Sequence, residues 1–71
     1  MDSYKVYFYR SEPFEGQEPD IEVTWKAEDL KEIIRDCQSV IVWKNFHRAH
    51  VMSSVCPKYL LKVVQNYYYR Q

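Results

Sequence analysis

Four side chains in this sequence carry the donor atoms for metal or nucleophilic chemistry: Cys37, His47, His50 and Cys56. Zinc accepts thiolate sulfur and imidazole nitrogen, but its ligands must converge at about 2.0–2.3 Å. Structural zinc sites usually manage this with closely spaced cysteine pairs, because one turn can then aim two sulfurs together. Here the order is Cys-x9-His-x2-His-x5-Cys, which puts the cysteines in separate elements. On a strand, His47 and His50 point to opposite faces. The spacing argues against a metal, and no cofactor is expected.

Nucleophilic catalysis needs a thiol or hydroxyl beside a base that a third group orients. Cys56 with His47 or His50 supplies the first two, but residues 37–71 contain no carboxylate to serve as the third. One glycine in the whole chain rules out the usual glycine-rich phosphate loops. A chain of 71 residues also struggles to enclose a ligand pocket of about 300 Å³. No catalytic residue is assigned, and no enzymatic activity is expected.

Recognition chemistry is better represented. The stretch "VWKNFHRAHVMSS" sets Trp43, Phe46, His47 and His50 among Lys44 and Arg48, with no acid. Aromatics interleaved with bases are what single-stranded nucleic acid readers use: rings stack on bases while cations meet phosphates. Lys58, Lys62 and Arg70 extend the cationic set. Five basic residues are few for this purpose, however, and an isoelectric point of 6.7 does not favour a polyanion. Nucleic acid is the alternative reading.

The charge distribution favours a protein partner instead. Residues 1–36 hold all ten acids and five bases, a net charge of −5; residues 37–71 hold five bases and no acid, a net charge of +5. Such division suggests a charged partner or head-to-tail self-contact, unless folding interleaves the two halves. Twelve aromatics, seven of them Tyr, exceed what so small a core can enclose, so some must face solvent or an interface. Tyr, Trp and Arg dominate interface hot spots. The expected contact residues are Glu12, Phe14, Glu15, Glu18 and Asp20 in an acidic segment, with Tyr67, Tyr69 and Arg70 near the C-terminus. With Glu22, the acidic run can imitate a phosphate backbone; as a plain solvated loop it needs no such role. The expected function is a non-enzymatic subunit, adaptor or inhibitor, of the kind phages and mobile elements encode, with a homodimer also expected.

The elements that position these groups follow from hydrophobic period. "YKVYFYR" alternates, with Tyr4, Val6 and Phe8 on one face, and predicts a strand over residues 4–10. "SEPFEGQEPD" holds two prolines, the glycine and four acids, and predicts a loop over 11–20. "IEVTWK" alternates again and predicts a second, antiparallel strand over 21–26. In "AEDLKEIIRDCQ", Leu30, Ile33, Ile34 and Cys37 form a helical stripe, with Cys37 a buried apolar group. "SVIVW", residues 39–43, is continuously apolar and predicts a central strand. Lys44-Asn45 predicts a tight turn with positive φ at Asn45, and residues 46–52 a fourth strand. Ser53 or Ser54 can cap a second helix with Pro57 in its first turn and a stripe of Leu60, Leu61, Val64, Tyr67 and Tyr68.

The reading is therefore one α+β domain, residues 1–71, in the order β-β-α-β-β-α. It has an antiparallel sheet of three to four strands with two helices on one face. No run of 18 apolar residues and no leader-like segment occurs. A cytoplasmic protein with reduced thiols and no membrane contact is expected.

Overall fold

A computed structural model describes residues 2–54 and 59–71. The chain forms β1 (Asp2–Tyr9), β2 (Ile21–Ala27), α1 (Leu30–Lys44), β3 (Arg48–Ser53) and β4 (Leu60–Gln65). The four strands make one antiparallel sheet in the order β2-β1-β3-β4. β2 and β3 therefore run parallel on either side of β1, and α1 crosses between them.

β1 is interior because both its edges pair, with β2 on one side and β3 on the other. Tyr4, Val6 and Phe8 are buried on the face that α1 packs against. Their cross-strand partners continue the same face: Trp25, Val23 and Ile21 on β2, and Ser53, Val51 and Ala49 on β3. Ile33, Cys37 and Ile41, at four-residue spacing on α1, close the core from above. Asp29 starts the helix by accepting the Glu32 N–H at 2.9 Å. Asn45 ends it in the left-handed region at φ 55°, a conformation asparagine tolerates better than most residues.

Two predicted elements change identity. Residues 39–43 are not a central strand but the last turns of α1. Val40 and Ile41 continue the stripe set by Ile33, Ile34 and Cys37, and packing outweighs the modest helix penalty of β-branched residues. The apolar run is then split, with Val42 and Trp43 facing solvent. Among the described residues the second helix is absent, since Leu60–Gln65 is a strand. Its main chain joins the open edge of β3, Ala49 opposite Val64 and Arg48 opposite Gln65. Ser53 caps no helix; it ends β3, and its N–H donates to the Tyr59 carbonyl at 2.9 Å. Pro57, proposed for that helix, lies outside the described residues, as do Cys56 and Lys58. The described residues thus form an α+β fold with one helix, not two, on one face of a four-stranded sheet.

One helix about 10 Å wide cannot cover four strands spaced about 4.8 Å apart. Grooves consequently remain on both flanks of α1. Among the described residues no helix lies over the opposite face of the sheet, which carries Lys5, Tyr7, Arg48, His50 and Met52.

Candidate functional site

The end of the sheet where β1 stops and β2, β3 and the tail after β4 begin gathers most of the predicted contact residues. The pairs Phe8–Ile21, Tyr9–Arg48 and Arg48–Gln65 define this end. The helix C-terminus joins it, because the Phe46 N–H donates to the Ile41 carbonyl and the His47 N–H to the Tyr9 carbonyl. The acidic loop 11–20 flanks this end on the β2 side, and the tail 66–71 on the β4 side.

The tail is held by two asparagines. Asn66 is buried; its side-chain Nδ2 donates to the carbonyls of Ile41 and Phe46, at 3.1 and 2.9 Å, and its Oδ1 accepts the Tyr68 N–H at 2.9 Å. Its own N–H donates to the His47 carbonyl. Asn45, already the helix cap, donates to the Arg70 carbonyl at 2.8 Å and accepts the Arg70 N–H at 3.0 Å. These bonds fix the tail backbone against α1 and leave its rings outside: Tyr67 is 84% and Tyr68 77% exposed. Trp43 on α1 is 78% exposed. Together with Gln38, Ser39, Val42 and Gln65 they line a groove of about 680 Å³. Lys44 sets its ammonium 4.3 Å from the Trp43 ring centre, a cation–π contact, although its side chain lines the groove on the β2 flank of the helix rather than this one.

The remaining predicted contact residues divide between the two flanks. Tyr69 is half-buried, its ring edge-on to His47 at 5.0 Å, while the Arg70 side chain is exposed. In the loop, Glu12, Glu15, Glu18 and Asp20 are exposed, and Phe14 is 73% exposed rather than anchored on the body. The loop is nonetheless organised. The Gln17 N–H donates to the Phe14 carbonyl, the Phe14 N–H to the Gln17 side chain, and the Arg10 N–H to Asp20 at 2.8 Å. Gly16, at φ 81°, takes the backbone angle that this turn requires.

The stretch 43–50 does not form one surface. Trp43 and Lys44 lie on the outer side of α1, and Phe46 is buried against Phe8 at 5.4 Å. Arg48 and His50 lie on the uncovered sheet face, while His47 sits at the sheet's end, where its Nδ1 accepts the Arg48 Nε–H at 3.0 Å. On that face His50 packs on Tyr9 at 4.7 Å, and its Nε2 is buried with no hydrogen-bond partner among the described residues. Burial, and then the nearby Arg48 charge, lower the His50 pKa. Burial likewise raises both Tyr4 and Tyr9. Cys37 is fully buried, and burial, helped by Asp36, pushes its thiol up to about 12, so it is no nucleophile at neutral pH. Among the described residues no group of three or more His, Cys, Asp or Glu side chains gathers as metal ligands.

Sequence reasoning missed the groove because it assigned Trp43 to a strand and Asn66 no role. Asparagines at the ends of two apolar runs were the available signal. No protein-family model matches this chain, and no curated protein or solved structure is significantly similar to it. No helix among the described residues is long and apolar enough to cross a membrane.

Proposed function

We propose that this protein is a non-enzymatic binding module that docks another protein in the groove formed by Trp43, Tyr67 and Tyr68. The acidic loop 11–20 with Phe14 serves as a second contact. The observation that carries this reading is the exposure of three large rings on backbone that hydrogen bonds hold in place. Leaving so much aromatic surface in water is unfavourable, and the pinned tail removes much of the ordering cost that binding would otherwise incur. The charge division supports it further. Among the described residues the only ion pair is Lys5–Glu22, at 3.8 Å, and both partners come from the acidic half. Among the described residues, then, no ion pair with the basic half neutralises the acidic loop, and it can steer a partner.

The test is comparative capture. Partners retained by the wild-type protein and lost by Trp43→Ala with Tyr67→Ala, while circular dichroism shows the variant folded, support the reading. Hot-spot aromatics predict a loss of affinity of about 100-fold for the pair. Identical partners and affinities for both proteins would refute it.

A second reading rests on the uncovered sheet face, where Tyr7 lies beside His50, with Lys5 and Arg48 nearby. That combination suits single-stranded nucleic acid. It ranks lower because Trp43 and Phe46, the rings expected to stack on bases, lie elsewhere. Titration with single-stranded oligonucleotides at several salt concentrations decides it: salt-sensitive binding lost in Tyr7→Ala would favour this face over the groove.

A further inference from the structure

We infer that the free edge of β2 is a self-association site, where a second copy adds antiparallel about a two-fold axis through Thr24 perpendicular to the sheet. Among the described residues nothing pairs with the outer side of β2. Natural edge strands are usually blunted by proline, bulges or unpaired charge. Ile21–Ala27 contains no proline or glycine, and its pairing with β1 runs without a register shift over seven residues. The other edge is different: the β3–β4 pairing shifts register between Val51 and Met52.

The β2 sequence is self-complementary in that one register. Residues facing each other across an antiparallel pair share a face, so the two-fold at Thr24 sets Glu22 opposite the partner's Lys26 and Lys26 opposite the partner's Glu22. On the helix face it sets Val23 opposite the partner's Trp25, and Trp25 opposite the partner's Val23. Moving the axis to Trp25 would put Glu22 against the partner's Glu28; moving it to Val23 leaves Glu22 against the partner's Thr24 and carries Lys26 past the strand end, opposite the partner's Asp20. Of the three axes, only the one at Thr24 pairs both charges within the strand, Glu22 and Lys26, with an opposite charge that is also within the strand. A ladder of this length forms about six main-chain hydrogen bonds.

The helix face supplies apolar area beside the ladder. Between β2 and α1 lies a groove of about 410 Å³, lined chiefly by Ile21, Val23, Trp25, Val40 and Phe46. Ile21, Val23 and Trp25 are only half-buried in one copy. A second copy would extend the sheet to eight strands and cover this flank. One force opposes it: just beyond the strand, Asp20 comes opposite the partner's Glu28. That repulsion lies at the ends of the ladder and makes the association reversible rather than tight.

Sedimentation equilibrium from micromolar to millimolar protein, at low salt, tests the inference. The wild-type chain is expected to dimerise. Lys26→Glu turns two attractive pairs into two repulsive ones and is expected to weaken the dimer about tenfold or more. Glu22→Lys does the same, although it also removes the contact with Lys5. The double exchange E22K/K26E is expected to restore the dimer, which no merely structural role of these side chains predicts. Trp43→Ala is expected to leave it unchanged, which separates this site from the groove on the other flank. A monomer at every concentration, a dimer indifferent to Lys26→Glu, a double exchange without recovery, or a dimer abolished by Trp43→Ala would each overturn it.

Discussion

Replacing Asn66 by Ala probes the joint on which the tail, the helix end and the β3 entrance all meet. The substitution removes two donated bonds and one accepted bond. The Ile41 carbonyl loses least, because it still accepts from the Phe46 N–H. The Phe46 carbonyl keeps no other protein partner among the described residues, and a buried acceptor left unsatisfied costs about 1–3 kcal/mol. The lost bond to the Tyr68 N–H adds about 1 kcal/mol. The expected destabilisation is therefore about 3 kcal/mol, against a total of about 4–11 kcal/mol for a domain this size. Urea denaturation should show a lower midpoint with an unchanged slope, and the melting temperature should fall by about 10–20 °C. Asn66→Asp sharpens the test. It retains the acceptor for Tyr68 but turns a carboxylate toward two carbonyl oxygens, so only its protonated form can donate. The Asp side chain then has a folded pKa above its unfolded value, and the variant should gain stability as pH falls through the acidic range. A change below about 0.5 kcal/mol in Asn66→Ala would refute the assignment of Asn66 as the clamp.

Asn45→Ala should cost about 1–2 kcal/mol because alanine resists positive φ; Asn45→Gly restores the helix end but not the Arg70 bonds, so amide exchange at Arg70 should be faster than wild type in both. In a Cys56→Ser background, Cys37 should react with a thiol reagent no faster than the protein unfolds, since the folded thiol is buried and its pKa is about 12; rapid stoichiometric labelling of the native state would contradict the packing. His50 is held below its ordinary pKa by burial and by Arg48. Its folded state thus prefers the neutral ring, so its contribution to stability is retained above the unfolded pKa of about 6.5 and lost as pH falls below it. His50→Gln should flatten that part of the stability–pH curve, and an unchanged slope would contradict the assignment. Ile41→Ala should cost about 2–5 kcal/mol as a core cavity, and Val42→Ala on the solvent side far less; equal losses would contradict the helical placement of residues 39–44.

Local period carried the reading wherever one face of an element meets the core and the other meets water. The alternations Tyr4-Val6-Phe8 and Ile21-Val23-Trp25 and the stripe Leu30-Ile33-Ile34-Cys37 each match a single template, and the structure follows them. "SVIVW" matches two, because a continuous apolar run satisfies a buried strand and a helix equally. The decision came from outside the run: Cys37 stands four residues before Ile41, and Asn45 and Asn66 supply the helix end. "LLKVVQ" fits a helical stripe too, yet its strand pairing depends on Ala49 and Arg48, which no local pattern connects to it. The site was legible in the same proportion. The acidic loop and exposed Tyr67 follow from composition, and Asn45 was marked for positive φ. Trp43 and Tyr67 share a groove only because Asn66 brings the tail to α1.

The Asn66 clamp also sets an order on biosynthesis. The helix carbonyl at Ile41 leaves the ribosome well before the amide that engages it, which follows 25 positions later. In the interval that end of α1 can be satisfied only by its own cap and by water, and nothing yet anchors the tail. A nascent chain released just short of residue 66 would keep the residues of all five elements but leave the C-terminal end of α1 without the Asn66 bonds and the Phe46 carbonyl without its donor. Such truncated chains should be far more prone to proteolysis and aggregation than their missing length alone would suggest.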